Sequence, residues 1–290
     1  MTEILFARFE DGEANAGNGE ETLVPWWSFT KTVIATAALS LAGDGLLDLD
    51  EPLTGRPFTL RQLLQHRAGL GDYGAVADYR AAVARGDDPW PVEEMLRWVN
   101  ADEPRYRPGE GWSYSNIGYH HAVELIETRA GQSLDRVLRK RVFDPLGLDR
   151  VHLARSVGDL TGVTLGKAEG YHPGWVYHGL VVGPLRDAAF LLDRLMAGQV
   201  LSRRLLDEML RTHPVGGTYP ERPWRQPAYG LGLMTDQALP GRPVGHTGGG
   251  PGSAIAVYRA TCRDTVLTTA AFVTEETPAP VEHLAMLPRI

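Results

Sequence analysis

Ser28 and Lys31 are spaced so that a nucleophile and its activator could share one pocket. They frame an S-x-x-K tetrapeptide at the head of an apolar-periodic stretch, in a chain that holds only two other lysines. Residues three apart lie on the same face of a helix, so the hydroxyl and the amine can meet if this stretch is helical. The spacing indicates covalent catalysis by an activated serine. Chance can also supply such a tetrapeptide, so the rest of the chain must support it.

A second segment with reactive side chains ends at Asn116. Tyr114 and Asn116 form a Y-x-N pattern directly before an apolar helix predicted to begin at Ile117. A phenol can exchange a proton with a serine, and a primary amide can donate and accept hydrogen bonds. The simpler interpretation is that Asn116 caps the helix and Tyr114 only packs.

The third segment is glycine-rich and reads H-T-G before two further glycines. It contains His246, Thr247, Gly248 and Gly249. Glycine lets a backbone approach a substrate closely, although a loose hairpin would have the same composition. It is not a phosphate loop, because G-x-x-x-x-G-K-[ST] is absent from the chain.

The element that positions Ser28 is predicted to be a central helix. Apolar residues recur at three-and-four spacing from Ser28 to Gly43, and Gly43-Asp44-Gly45 supplies a stop. Thr22–Trp27 reads as an extended segment, so a strand leads into the helix at the candidate nucleophile.

The middle of the chain, from Thr59 to Leu210, is predicted to be mostly helical. Thr59 and Gln62 form a capping box. Two longer helices are predicted with glycine stops behind them, at Ile117–Ala130 and Leu185–Ala197.

Strands are predicted near both chain ends. They cover Ile4–Glu10, Tyr229–Thr235, Ser253–Tyr258 and Thr265–Val273, followed by a short helix at Val281–Leu287. The order predicts an α+β fold, with an antiparallel β-sheet flanked by helices beside a mainly α-helical region. We expect residues 1–45 and 215–290 to form the sheet domain and residues 46–214 the helical region. The active site would then lie at their seam.

Composition narrows the function classes. A formal charge of −7 argues against a nucleic-acid surface. The single cysteine, Cys262, excludes an intrachain disulfide and a multi-cysteine metal site. Met1–Glu20 shows no secretory signal and no apolar run spans a bilayer, so we expect a cytoplasmic protein without a membrane partner.

Taken in order, S-x-x-K, Y-x-N and H-T-G resemble the serine β-lactamase and penicillin-binding protein superfamily. The resemblance is strongest to the class C branch, which also contains D-alanyl-D-alanine carboxypeptidases, D-aminopeptidases and esterases. It extends from about Trp26 to Tyr258 and includes the segments Leu63–Leu70, Arg107–His121, Phe143–Leu148 and Tyr229–Gly232.

The resemblance implies a β-lactamase/transpeptidase-like fold and an acyl-enzyme on Ser28, without a metal or other cofactor. Lys31 and Tyr114 are both candidates for the base, because each titrates near 10 when free and needs a shift of roughly three units. Asn116 could donate to a substrate carbonyl and hold Lys31. The oxyanion donors would be the backbone amides of Ser28 and Gly249, with His246, Thr247 and Gly248 beside them.

The chain has His246 at a position where the penicillin-destroying members of the superfamily usually have lysine. Histidine is charged only part of the time near neutrality. We therefore expect a small-molecule or short-peptide substrate, either an ester or a D-amino-acid amide or peptide, with little β-lactam hydrolysis. The alternatives are an efficient β-lactamase, a D-alanyl-D-alanine carboxypeptidase, or a non-catalytic penicillin-recognising binding protein.

Other side chains could line the pocket or support the structure around it. Residues that could line the pocket are Asp72, Tyr73, Trp112 and Trp175. The adjacent His120 and His121 should point to different faces of their helix and serve a structural role, and no zinc-type cluster is expected. The sequence leaves the oligomeric state open.

Overall fold

Two antiparallel sheets organise the chain, whose computed structural model describes residues 3–101 and 103–287. The strands are β1 Leu5–Glu10, β2 Glu13–Asn18, β3 Leu23–Pro25, β4 His152–Ala154, β5 Leu180–Pro184, β6 His213–Pro214, β7 Pro227–Tyr229, β8 Met234–Asp236, β9 Val244–Gly250, β10 Ser253–Cys262 and β11 Thr265–Val273. The main sheet has eight strands in the order β2-β1-β11-β10-β9-β8-β7-β6. The small sheet has three, in the order β3-β5-β4. The main sheet therefore joins the two ends of the chain.

The helices are α1 Thr30–Gly43, α2 Leu60–Leu64, α3 Ala77–Arg85, α4 Val92–Trp98, α5 Asn116–Ala130, α6 Leu134–Leu138, α7 Leu185–Met196, α8 Arg203–Met209 and α9 Ala279–Met286. A π-helical turn follows α6 at Arg139–Phe143. A 3₁₀ turn, Trp27–Phe29, precedes α1.

The helix α1 lies at the centre of the molecule. Its residues from Thr30 to Leu39 are buried on every side, which is the environment that an almost uninterrupted run of apolar and threonine residues suits. It packs against α5 and α6, while the 3₁₀ turn before it packs against β9. Ser28 therefore lies between the main sheet and the helical part of the chain.

Both faces of the main sheet carry helices. The helix α7 packs against β1 and β11, and α9 packs against β10 and β11. This arrangement confirms the predicted class, an antiparallel sheet flanked by helices. The division into two domains stays a prediction, and α7 packs against the sheet although its residues fall in the predicted helical region.

Local predictions differ in accuracy. The capping box at Thr59 and Gln62 is present, and β11 has the predicted bounds. The predicted strand Tyr229–Thr235 is wrong, because the backbone N–H of Gly230 donates to the carbonyl of Leu233 at 2.8 Å and turns the chain between β7 and β8.

Within the described residues, no helix has both the length and the apolar character to cross a bilayer. The expected cytoplasmic location stays a prediction.

Candidate active site

Ser28 lies in the middle of the 3₁₀ turn between β3 and α1. The residue before it, Trp27, has φ of +39°, in the left-handed region that non-glycine residues adopt only when their surroundings hold them. Two contacts of its side chain hold Trp27 in this conformation. The indole Nε1 of Trp27 donates to Ser253 Oγ at 3.0 Å, and its ring meets Tyr171 edge-on at 5.4 Å between centroids. The strained turn brings Ser28 to the wall of a cavity.

Both candidate bases contact the Ser28 hydroxyl. The Tyr114 hydroxyl donates to Ser28 Oγ at 2.8 Å, and Lys31 Nζ lies 3.2 Å from the same oxygen. The two segments that supply them are far apart in the chain, so the fold brings together what the motifs predicted.

The pKa values of Lys31 and Tyr114 move in opposite directions. Burial lowers the pKa of Lys31 to about 7, against a smaller opposing effect of the negative charge of Asp72. Desolvation raises the pKa of Tyr114, although its hydrogen bond to Ser28 opposes the shift. Near neutral pH Lys31 can therefore be uncharged and accept a proton, whereas Tyr114 keeps its proton and can donate it.

Asn116 contacts Lys31 and does not cap the helix. Ser115 is the N-cap residue of α5, with its Oγ accepting from the backbone N–H of Gly118 at 3.1 Å. Asn116 Oδ1 lies 2.7 Å from Lys31 Nζ, and its Nδ2 donates to Asp72 Oδ1 at 2.9 Å. Asp72 thus uses one of the two Nδ2 hydrogens, which leaves the other for the substrate carbonyl that Asn116 was expected to contact.

His246 is buried and uncharged. Its Nδ1 lies 2.6 Å from the carbonyl of Thr247, so Nδ1 carries the proton and Nε2 accepts from the Tyr229 hydroxyl at 2.8 Å. Burial, helped by the charge of Lys31, lowers the pKa of His246 to about 3. The expectation of a partly charged histidine is therefore wrong, and His246 offers no cation to a substrate carboxylate.

The side chain of Thr247 also departs from the prediction. Its hydroxyl donates to Glu282 Oε1 at 2.6 Å and lies 2.9 Å from the Tyr258 hydroxyl. Glu282 belongs to α9, so this side chain faces the helix behind the sheet and not Ser28.

Gly248 and Gly249 bring the β9 backbone against the 3₁₀ turn that carries Ser28. A β-carbon on Gly248 would lie 2.6 Å from the backbone nitrogen of Ser28, so only glycine fits. Of the described strands, β8 pairs with β9 at Val244 and Gly245 alone. The backbone of β9 near Gly249 is therefore open to the cavity, as the predicted oxyanion role requires.

The cavity beside Ser28 has a volume of about 820 Å³. Ser28, Asn116 and Gly249 are among the residues that line it. Its wall contains aromatic and charged side chains, among them Tyr73, Tyr79, Trp175, Arg80, Lys167 and Glu276. Tyr73 and Trp175 thus line it as predicted.

The other two predicted lining residues lie elsewhere. Among the described residues Asp72 and Trp112 are absent from the cavity wall. Asp72 contacts Asn116, and Trp112 packs edge-on against His66 at 6.0 Å between ring centroids.

His178 belongs to the site and was not predicted. Its Nε2 lies 3.0 Å from Lys31 Nζ, and its ring is buried in the cavity wall. The signal available in the sequence was a histidine two residues before the apolar strand β5, which by itself says nothing about Lys31.

His120 and His121 converge instead of pointing apart. Together with Glu124 they place one ligand atom each within 4.8 Å of one another, so the expectation of no such cluster is wrong. His121 Nδ1 lies 2.8 Å from Glu124 Oε2, and His120 Nε2 lies 3.5 Å from Oε1. These contacts hold the pKa of the Glu124 carboxyl well below its usual range. The three residues could hold a metal ion, and they also form an ion-paired cluster when a histidine is protonated.

Comparisons with known proteins agree with the motifs. The sequence model of the β-lactamase family matches residues 3–287. Esterase EstB of Burkholderia gladioli is 32% identical over 170 residues, covering 50% of this chain and 43% of EstB. A D-aminopeptidase of Brucella anthropi is 26% identical over 251 residues, covering 83% of this chain and 48% of the relative. The chain thus spans less than half the length of these curated relatives.

Solved structures resemble the whole chain. A D-stereospecific amidohydrolase from Streptomyces sp. superposes with a TM-score of 0.81 at 24% identity, covering 99% of this chain and 94% of that one. The D-amino acid amidase from Ochrobactrum anthropi SV3 gives a TM-score of 0.77 at 25% identity, covering 94% of this chain and 88% of that one. The fold predicted from the motifs is confirmed.

Proposed function

The chain belongs to the β-lactamase family, and on that basis we propose that it is a serine hydrolase that forms an acyl-enzyme on Ser28. One observation carries the proposal. The hydroxyl of Ser28 lies between Lys31 Nζ at 3.2 Å and the Tyr114 hydroxyl at 2.8 Å, an acceptor and a donor of protons near neutral pH.

In the acylation step, uncharged Lys31 takes the proton of Ser28 as Oγ bonds to the substrate carbonyl carbon. The oxyanion that forms accepts hydrogen bonds from the backbone N–H groups of Ser28 and Gly249. When the bond to the leaving group breaks, Tyr114 gives that group its proton. This leaves the acyl group on Ser28, Lys31 protonated and Tyr114 as phenolate.

Hydrolysis of the acyl-enzyme restores the starting protonation states of Ser28, Lys31 and Tyr114. The phenolate of Tyr114 takes a proton from a water molecule, whose oxygen attacks the acyl carbon. Lys31 gives its proton back to Ser28 Oγ as the ester bond breaks and the acid leaves. Lys31 therefore exchanges its proton with Ser28 alone. Tyr114 exchanges its proton with the leaving group and with the water molecule.

Esters and D-amino-acid amides or peptides are the substrates that this site favours. An uncharged, buried His246 cannot pair with the carboxylate that penicillins carry, so efficient β-lactam hydrolysis is disfavoured. The names of the relatives, an esterase, a D-aminopeptidase and a D-amino acid amidase, support the same classes. The choice between an esterase and a D-aminopeptidase is open to a direct assay.

Active-site labelling tests the proposal. A fluorophosphonate followed by peptide mass spectrometry should place the adduct on Ser28, and Ser28→Ala should remove both labelling and hydrolysis of p-nitrophenyl esters. An adduct on another serine would end the proposal. If no ester, D-alanyl peptide or nitrocefin is turned over and Ser28 takes no label, a non-catalytic binding protein is favoured instead.

A further inference from the structure

The contact between Lys31 and His178 indicates that His178 has a role at this site. His178 Nε2 lies 3.0 Å from Lys31 Nζ, and His178 belongs to none of the three recognised motifs. We propose that His178 is a positioning residue that directs the lone pair of uncharged Lys31 at the hydroxyl of Ser28. The role rests on the proposed function, since it matters only if Lys31 takes the proton of Ser28.

The valence of the Lys31 amine limits the hydrogen bonds that it can make. An uncharged primary amine has two N–H donors and one lone pair. Among the described residues, Lys31 Nζ has three hydrogen-bonding neighbours, at 2.7 Å from Asn116 Oδ1, 3.0 Å from His178 Nε2 and 3.2 Å from Ser28 Oγ. Asn116 Oδ1 can only accept. If His178 Nε2 also accepts, both N–H groups are used and the lone pair is left for Ser28.

The tautomer of His178 supports this assignment. A protonated Lys31 can only donate, so Nε2 has to be the bare nitrogen in that state and the ring proton sits on Nδ1. Nδ1 faces the Tyr73 hydroxyl at 3.5 Å. The ring stays neutral, because burial and the charge of Lys31 hold the pKa of His178 well below its usual range. One tautomer thus serves Lys31 before and after it takes the proton.

The imidazole is held in place by its backbone. His178 is 2% exposed and packs edge-on against Tyr119 at 6.1 Å between ring centroids. The next residue, Gly179, has φ of +97°, and its N–H donates to the carbonyl of Val176 at 2.7 Å. This turn fixes where the ring enters the site.

Removing the hydrogen-bond acceptor of His178 should change both the direction of the Lys31 lone pair and the pKa of Lys31. In His178→Leu, one N–H of Lys31 has no partner, so the lone pair of the uncharged amine is no longer confined to the direction of Ser28. The protonated amine also loses a hydrogen bond, which lowers the pKa of Lys31 further. Since the reaction needs uncharged Lys31, the acid limb of the pH profile should then move to lower pH.

The test compares His178→Leu with His178→Gln, whose side-chain carbonyl can still accept. We expect His178→Leu to lower kcat for a p-nitrophenyl ester about tenfold or more, with KM within about twofold, because a lost hydrogen bond is worth roughly that factor. The acid limb should move to lower pH in His178→Leu alone, and His178→Gln should recover most of the rate. His152→Leu, at a histidine outside the site whose Nε2 lies 3.2 Å from the carbonyl of Asp159, is the control and should leave the acid limb in place.

The pH dependence of fluorophosphonate labelling separates the possible failures. If wild-type Ser28 takes no label, the proposed function fails. If wild type is labelled but His178→Leu is labelled at the same rate with the same pH midpoint, only the role of His178 is overturned. A folded His178→Gln as slow as His178→Leu would also overturn it. Should His178→Leu not fold, a wild-type pH midpoint and near-wild-type rate in His178→Gln support the acceptor role, and a loss of rate in that variant counts against it.

Discussion

One carboxylate oxygen of Asp72 accepts both the backbone and the side-chain N–H of Asn116, each at 2.9 Å. The double contact leaves Oδ1 of Asn116 turned toward Lys31, 2.7 Å from Nζ. The charge of Asp72 also raises the pKa of Lys31, against the larger lowering by burial. Asp72 therefore influences both the orientation and the basicity of Lys31.

Asp72→Asn should separate these two influences. The variant keeps an oxygen that can accept from Asn116 but loses the charge, so the pKa of Lys31 should fall below its present value of about 7. The acid limb of kcat/KM for an ester should move to lower pH, with the plateau reduced no more than about tenfold. Asp44→Asn, at a surface pair with Arg141, is the control and should leave the profile unchanged. An acid limb that stays in place or moves to higher pH contradicts the prediction.

The kcat/KM of the wild-type protein should rise once with increasing pH and then stay level. Uncharged Lys31 is required, so kcat/KM should increase with pH through a midpoint near the Lys31 pKa of about 7. Protonated Tyr114 is also required, and desolvation raises its pKa above the ordinary range of tyrosine. The rate should therefore show no loss in the alkaline range where free tyrosine titrates, when measured with an alkali-stable amide. A bell-shaped profile with its alkaline limb below about pH 10 would show that one of these assignments is wrong.

Tyr114→Phe distinguishes a proton donor from the acylation base. Loss of the hydroxyl should lower kcat by at least roughly a hundredfold, because the leaving group then departs without a proton. The acid limb should remain near its wild-type position, since Lys31 still titrates. Tyr106→Phe, which removes a hydroxyl 3.5 Å from the carbonyl of His66, is the control and should keep the wild-type rate. If the acid limb vanishes in Tyr114→Phe, the tyrosine and not Lys31 is the base.

The sequence predicted the parts of the site that lie in short, chemically distinctive patterns. Ser28, Lys31, Tyr114 and Asn116 could be named because each pattern joins a reactive group to the start of a helix. The helix α1 was also predictable, since its apolar period and its glycine stop are both local features.

What the sequence could not predict depends on contacts between distant residues. His178 lies 147 positions from Lys31, and nothing in its local sequence indicates the contact. The charge state of His246 depends on burial against Tyr229, which only the packed sheet creates. The strand β9 could not be told from a loose hairpin, because its glycines have low strand propensity and its pairing with β10 decides the matter.

Gly248→Ala should damage the site through lack of space. A β-carbon there would lie 2.6 Å from Ser28 N and 2.8 Å from Trp27 Cβ, and the 3₁₀ turn that carries Ser28 is already strained at Trp27. The turn must move away from β9, which should destabilise the fold by about 1–3 kcal/mol in urea unfolding. It should also lower kcat/KM for an ester at least tenfold, because a shift of about 1 Å in a nucleophile is costly. Gly249→Ala is the matched control for stability, since a β-carbon there would meet no described atom within 4 Å. Equal stability of the two variants would contradict the close approach of β9 to Ser28.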